Sequence, residues 1–230
     1  MKTLNTSGII LARTNYGEAD RILTLLTPDY GKIRLMARGV RKVKSKLAGG
    51  IELFSVSQVS FIPGRSELGT LISTRLIKHY GNIVKDLDRT LLAYELTKQL
   101  NRATEDEPES EYFKLMQQAF AALDDSAVNI SLIRLWFTMQ LLSLAGHAPN
   151  LQTDVDSKKL LPNQTYNFDF EAMAFSLAPG GRFRANHIKL LRLGFSGNRP
   201  KILQQVNGVE SLLTDIAPLV QTMLKTYIRV

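Results

Sequence analysis

The 230 residues carry 29 Lys and Arg against 21 Asp and Glu, a formal charge of +8, with 44% hydrophobic residues and no cysteine. That apolar fraction argues against global disorder and allows one large core or two modest ones, of which two domains are the preferred reading. The missing cysteines exclude disulfides, thiolate zinc sites and cysteine nucleophiles, and no apolar run approaches the roughly 20 residues that span a bilayer, which predicts a soluble, cytoplasmic protein.

The first 80 residues read as β structure. Ser7 to Thr14, Asp20 to Thr27, Lys32 to Arg38, Phe54 to Ile62 and Leu68 to His79 are short runs rich in Ile, Leu, Val, Phe and Thr. Turn-formers separate them: Asn15 to Gly17, Pro28 to Gly31, a basic glycine-containing loop, and Pro63-Gly64. In the fourth run the apolar parity moves from Phe54 and Val56 to Val59 and Phe61, which predicts a bulge near Ser57 and Gln58. Five strands with a sharp bend predict a small barrel of the oligonucleotide-binding (OB) type, with an SH3-like barrel as the alternative from pattern alone.

The third run and its loop organise this half. Ile33, Leu35 and Ala37 alternate with Lys32, Arg34 and Arg38, the period-two pattern of a half-buried strand, with Met36 the one apolar residue on the basic side. After Gly39 come Arg41, Lys42, Lys44 and Lys46, then Gly49 and Gly50, and no acid interrupts the series from Lys32 to Lys46. Residues 1–80 hold 13 Lys and Arg against 5 Asp and Glu, net +8, while residues 81–230 hold 16 of each, net zero. A solvated charged loop would account for the run by itself. That the protein's whole excess lies in its first third points instead to a polyanionic partner.

From Gly81 the period becomes helical. Leu87, Leu91, Leu92, Leu96 and Leu100 predict one apolar helix face, with Asn82 as cap and the acidic break TEDEPES as its end. Tyr112, Leu115, Met116, Ala119, Phe120 and Leu123 predict a second helix, closed by Asp124 and Asp125. A third, from about Ala127 to Ala145, is apolar nearly all round and so belongs at the centre of its domain, with Trp136 in the core. An irregular region, residues 146–183, contains two short β-like runs, Tyr166 to Phe170 and Ala174 to Leu177. A helix from about Asn186 to Leu193 follows, and the chain closes on Val209 to Tyr227, which Pro218 should kink. The fold class is therefore α+β: an OB-type barrel over 1–80 and a mostly helical domain over 81–230.

Catalytic motifs are missing from the sequence. His79, His147 and His187 show no HExxH or comparable spacing, no phosphate-binding or dinucleotide loop occurs, and no serine, Ser66 and Ser73 included, lies in a GxSxG elbow. Acidic pairs such as Asp86/Asp88 and Asp154/Asp156 suit caps and turns. The reading is a binding protein without cofactor, metal or catalytic residues.

Three stretches carry a family resemblance: YGEADRILTLLTPDYGKIRLMARGVRKVKSKLAGGIELFS (Tyr16 to Ser55), LLSLAGHAPNL (Leu141 to Leu151) and FSLAPGGRF (Phe175 to Phe183). They resemble the RecO family of bacterial DNA repair proteins, the first stretch most specifically. The resemblance implies an N-terminal OB domain, a helical C-terminal domain, binding of single- and double-stranded DNA, and annealing of complementary strands. It also implies joint action with RecR and the single-stranded DNA-binding protein SSB in loading the recombinase RecA, and a nucleoid-associated location. Many members of that family carry a zinc module, whose four ligand positions fall here on Asp154, Ser157, Arg184 and His187. That set suits tetrahedral zinc poorly, so the module is expected without metal, held by Leu151, Phe168, Phe170 and Phe175.

On this reading Lys32, Arg34, Arg38, Arg41, Lys42, Lys44 and Lys46 pair with phosphates, Arg13, Arg75 and Lys78 extend the groove, and Tyr16, Tyr30 and Tyr80 offer stacking rings. Phe54 and Phe61 are assigned to the core. Arg134, in the apolar third helix, is the candidate cation for the acidic C-terminal tail of SSB. The alternatives are a basic RNA-binding OB protein and an adaptor that docks an acidic protein tail.

Overall fold

The computed structural model describes residues 2–64, 67–104 and 110–228. Arg65 and Ser66 in the Pro63 turn, and residues 105–109 of the acidic break, lie outside the described residues. Two compact units divide at Asp124/Asp125.

The first unit contains strands β1 (Leu4–Tyr16), β2 (Asp20–Thr27), β3 (Gly31–Ala37), β4 (Ser55–Ile62) and β5 (Leu68–His79). They close into a barrel in the order β1-β2-β3-β5-β4, with β3 and β5 parallel and the other described pairs antiparallel. That is the OB-type arrangement and removes the SH3-like alternative. Ile10, Leu23, Leu25, Leu35, Ala37, Val59, Phe61 and Leu71 fill the interior. The interior residues of β2, β3 and β4 alternate along the strand, as a period of two requires.

The register shifts between β4 and β5 fall at Val56/Ser57 and Ser60/Phe61, and the extra residues, Ile77 and Ile72, belong to β5. The expected bulge on β4 is thus carried by its partner strand. The parity change in β4 has a different cause. Val56 pairs with Ile9, and Ile9 with Leu26; all three are buried although they lie outside the barrel's interior cluster. They form an apolar row on the outer face, where α1 (Leu87–Ala103) contacts β1 and α2 (Ser110–Asp124) contacts β2. Phe54, at φ +54, turns its ring to Phe120 and Tyr94, with centroids 5.6 and 5.1 Å away. A bulky residue in the left-handed region is strained, and here the surrounding rings hold it.

The change of periodicity places a boundary at 80/81, whereas packing keeps α1 and α2 with the barrel. Tyr80 is buried against Phe120, and this burial, with Asp124 nearby, raises its hydroxyl pKa above the ordinary tyrosine value. Helix α1 starts later than expected. Ile83–Lys85 is a 3-10 turn, and Asp86 is the cap, its Oδ1 accepting the N–H of Arg89 at 3.0 Å. Leu92, Leu96 and Leu100 are buried, but Leu87 and Leu91 are exposed, so the leucines belong to two faces.

The second unit centres on α3 (Ile130–Leu144), capped by Asn129 Oδ1, which accepts the N–H groups of Ser131 and Leu132. Trp136 is fully buried and its indole N–H donates to the Asn198 carbonyl. Around α3 pack α4 (Ala185–Phe195), α5 (Pro200–Leu203) and α6 (Val209–Tyr227). At Gly194 a Cβ would meet Met139 Cε at 2.1 Å, so the Met139 side chain of α3 fills the space beside this position of α4. A small sheet, β6 (Asn150–Asp154), β8 (Ala174–Leu177) and β7 (Tyr166–Asp169), forms the irregular insert. Strand β6 and helix α5 have no counterpart in the sequence reading, being too short to show a period. No helix among the described residues is long and apolar enough to cross a membrane.

Candidate nucleic-acid interface

The cationic loop is shaped rather than loose. At its start Gly39, at φ +64, donates its N–H to Asp20 Oδ1 at 2.7 Å, and Arg41 donates its N–H to the Ala19 carbonyl at 2.9 Å. Two successive turns follow, Lys42 N–H to Gly39 and Ser45 N–H to Lys42. At its end the Thr74 hydroxyl donates to the Leu47 carbonyl, and Gly50 packs against Thr74 so closely that a Cβ would overlap it. The loop is therefore fastened to the β1–β2 hairpin at one end and to β5 at the other, which lowers the entropy lost on ordering its cations around a ligand.

The basic residues divide into groups. Arg34, Arg38, Lys42, Lys44 and Lys46 are exposed and have no ion-pair partner among the described residues. Arg41 is exposed, but one guanidinium nitrogen donates to the Gly17 carbonyl at 3.2 Å, so it also braces the hairpin. Lys32 departs from the expected phosphate role: its Nζ donates to the carbonyls of Asn101 and Thr104, closing the C-terminus of α1. Arg13 reaches across to the Ile51 carbonyl at 3.4 Å, beside the loop's end. Arg75 pairs in register with Gln58, which pairs with Ser7, a row separate from those that carry Arg34. Lys78 lies over the ring of Tyr80, 4.8 Å from its centroid.

The stacking expectation narrows to one ring. Tyr16 is 55% exposed, whereas Tyr80 is buried and Tyr30 stands edge-on to Phe61 against the barrel core. Phe54 and Phe61 are both buried. In the second unit Arg134 is half-buried and already partnered.

The four positions of the implied zinc module hold a different structure. Asp154 is buried, and its Oδ1 accepts the N–H groups of Asp156 at 3.0 Å and Lys158 at 2.8 Å. Ser157 takes the left-handed backbone that this tight turn needs. The N–H of Arg184 donates to His187 Nδ1 at 2.9 Å, so the other nitrogen, Nε2, faces Asp215 at 3.2 Å. With both imidazole nitrogens engaged, one position a cation and the carboxylate serving as a turn acceptor, these residues do not fit zinc. Phe175, ringed by Phe168 and Phe183, packs the insert.

The fold and this surface define an OB-type barrel protein with an un-neutralised cationic loop and a helical C-terminal part. Models of two domains match it, Recombination protein O N terminal over residues 1–80 and Recombination protein O C terminal over 84–228. The chain belongs to the RecO family. It is 34% identical to a DNA repair protein RecO of Dehalococcoides mccartyi over 70% of this chain and 64% of that relative. It is 30% identical to that of Listeria monocytogenes over 82% and 75%, and 38% identical to that of Synechococcus elongatus over 64% and 56%. The match thus covers about 64% of the length of the Dehalococcoides relative.

Proposed function

We propose that this chain is a recombination mediator whose barrel binds single- and double-stranded DNA through Arg34, Arg38, Lys42, Lys44 and Lys46, anneals complementary strands, and works with RecR to load RecA onto SSB-coated single strands in the nucleoid. The observation that carries the reading is the exposed cation cluster, without ion-pair partners among the described residues, on β3 and on a loop fastened at both ends. Charges on a strand and a turn see phosphates and not base edges, so sequence preference should be slight. A surface that holds two strands at once screens their mutual repulsion, which is the physical requirement for annealing. The electrically balanced second half supports a protein-docking role, with the acidic SSB tail and RecR as its partners.

Affinities for single-stranded DNA, duplex DNA and structured RNA at one salt concentration, together with an annealing assay, test the reading. Comparable binding of both DNA forms with accelerated annealing is the expected result. A clear preference for structured RNA, or binding of an acidic protein tail alone, would replace it with the RNA-binding or adaptor alternative.

A further inference from the structure

Helix α1 is apolar on two opposite faces. Leu92, Leu96 and Leu100 are buried on the side where the helix contacts α2 and β1. Leu87, Leu91 and Tyr94, at spacings of four and three, lie on the far side and are 72%, 57% and 50% exposed. Val84, just before the helix, is exposed too, and Lys98, one turn after Tyr94, continues the line. A helix that packs one face on its own barrel ordinarily carries polar residues on the other, so this stripe lacks its covering. The charges beside it are ordered along the helix. Asp88 lies in the first turn, with Lys98 and Arg102 towards the end. All three are exposed and have no ion-pair partner among the described residues. The nearby acids are engaged: Asp86 caps the helix, and Glu95 accepts from Gln99 Nε2 at 3.2 Å.

We propose that this face joins two copies of the chain, α1 against α1 in antiparallel order. A second copy presents the same stripe with its charges reversed along the axis, so the surface complements itself, as a twofold pair requires. In the register that sets Leu91 against Tyr94 of the other copy, Leu87 lies opposite Lys98. The aliphatic stem of that lysine covers the leucine, and its ammonium reaches Asp88 beside it. Symmetry repeats both contacts. A parallel pair would instead set Asp88 against Asp88 and Lys98 against Lys98. With half or more of four large side chains in water, the stripe offers on the order of 400 Å² per copy, which suits a reversible pair and not a permanent one. On the DNA-binding reading above, pairing unites two cationic loops in one particle. The pairing itself does not depend on that reading, because no stripe residue is among the cations assigned to DNA.

Sedimentation velocity of the full chain without nucleic acid, over roughly 1–200 µM as a small interface requires, should show the mass rising from 25.8 kDa toward twice that value. A monomer throughout overturns the proposal and leaves the face to a different protein. Leu87→Gln with Leu91→Gln, which keeps helix propensity and net charge, should weaken association at least about tenfold. Its melting temperature at low concentration should match the parent's, since both side chains are exposed. An unaltered association constant in that variant would put the contact on another face and also overturn the proposal. Asp88→Lys should weaken pairing by about fivefold, and Asp88→Lys with Lys98→Glu should restore it. If the double exchange pairs no better than the single one, the antiparallel arrangement is wrong and the proposal falls. No nucleic acid enters these measurements, so their failure leaves the DNA-binding reading standing.

Discussion

The Nζ of Lys32 lies 2.7 Å from the carbonyl oxygen of Thr104 and 3.1 Å from that of Asn101, so a cation of the barrel strand β3 satisfies the last carbonyls of α1. Those carbonyls have no partner within the helix, and a cation at a helix C-terminus also suits its dipole. Lys32→Met should therefore lower stability by about 1.5–3 kcal/mol, as for hydrogen bonds made by a charged group. Urea denaturation gives the number. The salt dependence of DNA binding should not change, and a flatter slope would return Lys32 to the phosphate contacts.

Arg34, Arg38, Lys42, Lys44 and Lys46, exposed and without ion-pair partners among the described residues, set a scale for salt dependence. With one phosphate each, the plot of log K against log salt for single strands should have a slope of about −3.5, at roughly −0.7 per contact. Arg38→Glu with Lys42→Glu should flatten it by roughly two contacts. An unaltered slope in the double variant would move the site off the barrel loop.

Metal chemistry is tested at Asp154. Its carboxylate anchors the turn through two backbone N–H groups, the position where the family's zinc modules would place a ligand. Asp154→Ala should lower the melting temperature, with a loss of about 1–3 kcal/mol for the two hydrogen bonds that its buried carboxylate accepts. Chelators should leave the melting temperature of the parent protein unaltered, and elemental analysis should show well under one zinc per chain. Stoichiometric zinc would mean that the bonds of His187 and Asp154 rearrange around a metal.

Arg134 bears on the partner side of the reading. If it anchors the SSB tail, Arg134→Ala should weaken binding of a tail peptide by about 1.5–3 kcal/mol and leave affinity for bare DNA within about twofold. Its half-buried position makes a structural role the competing outcome. A lowered melting temperature with tail binding retained would establish that role and exclude the anchor.

Local rules carried the sequence reading a long way. Glycine and proline turns bounded β2 and β5 at Asp20–Thr27 and Leu68–His79, alternation assigned Leu35 and Ala37 to the core, and the apolar girth of α3 placed Trp136 at a centre. The concentration of charge before Tyr80 needed no coordinates. Lys32 and Arg34, however, are indistinguishable by pattern: both are basic, two residues apart and on one face. Only the arrival of the α1 C-terminus, some seventy residues later, takes the first and leaves the second free. The same holds for Tyr16 and Tyr80, for Leu91 and Leu92, and for Asp86 in place of Asn82 as the cap of α1. Periodicity follows from the geometry of one strand or helix and is written into neighbouring residues. Which stretch of a face is covered is decided by elements distant in sequence, so the exposed cations are separated from the engaged Lys32 only once α1 has packed on the barrel.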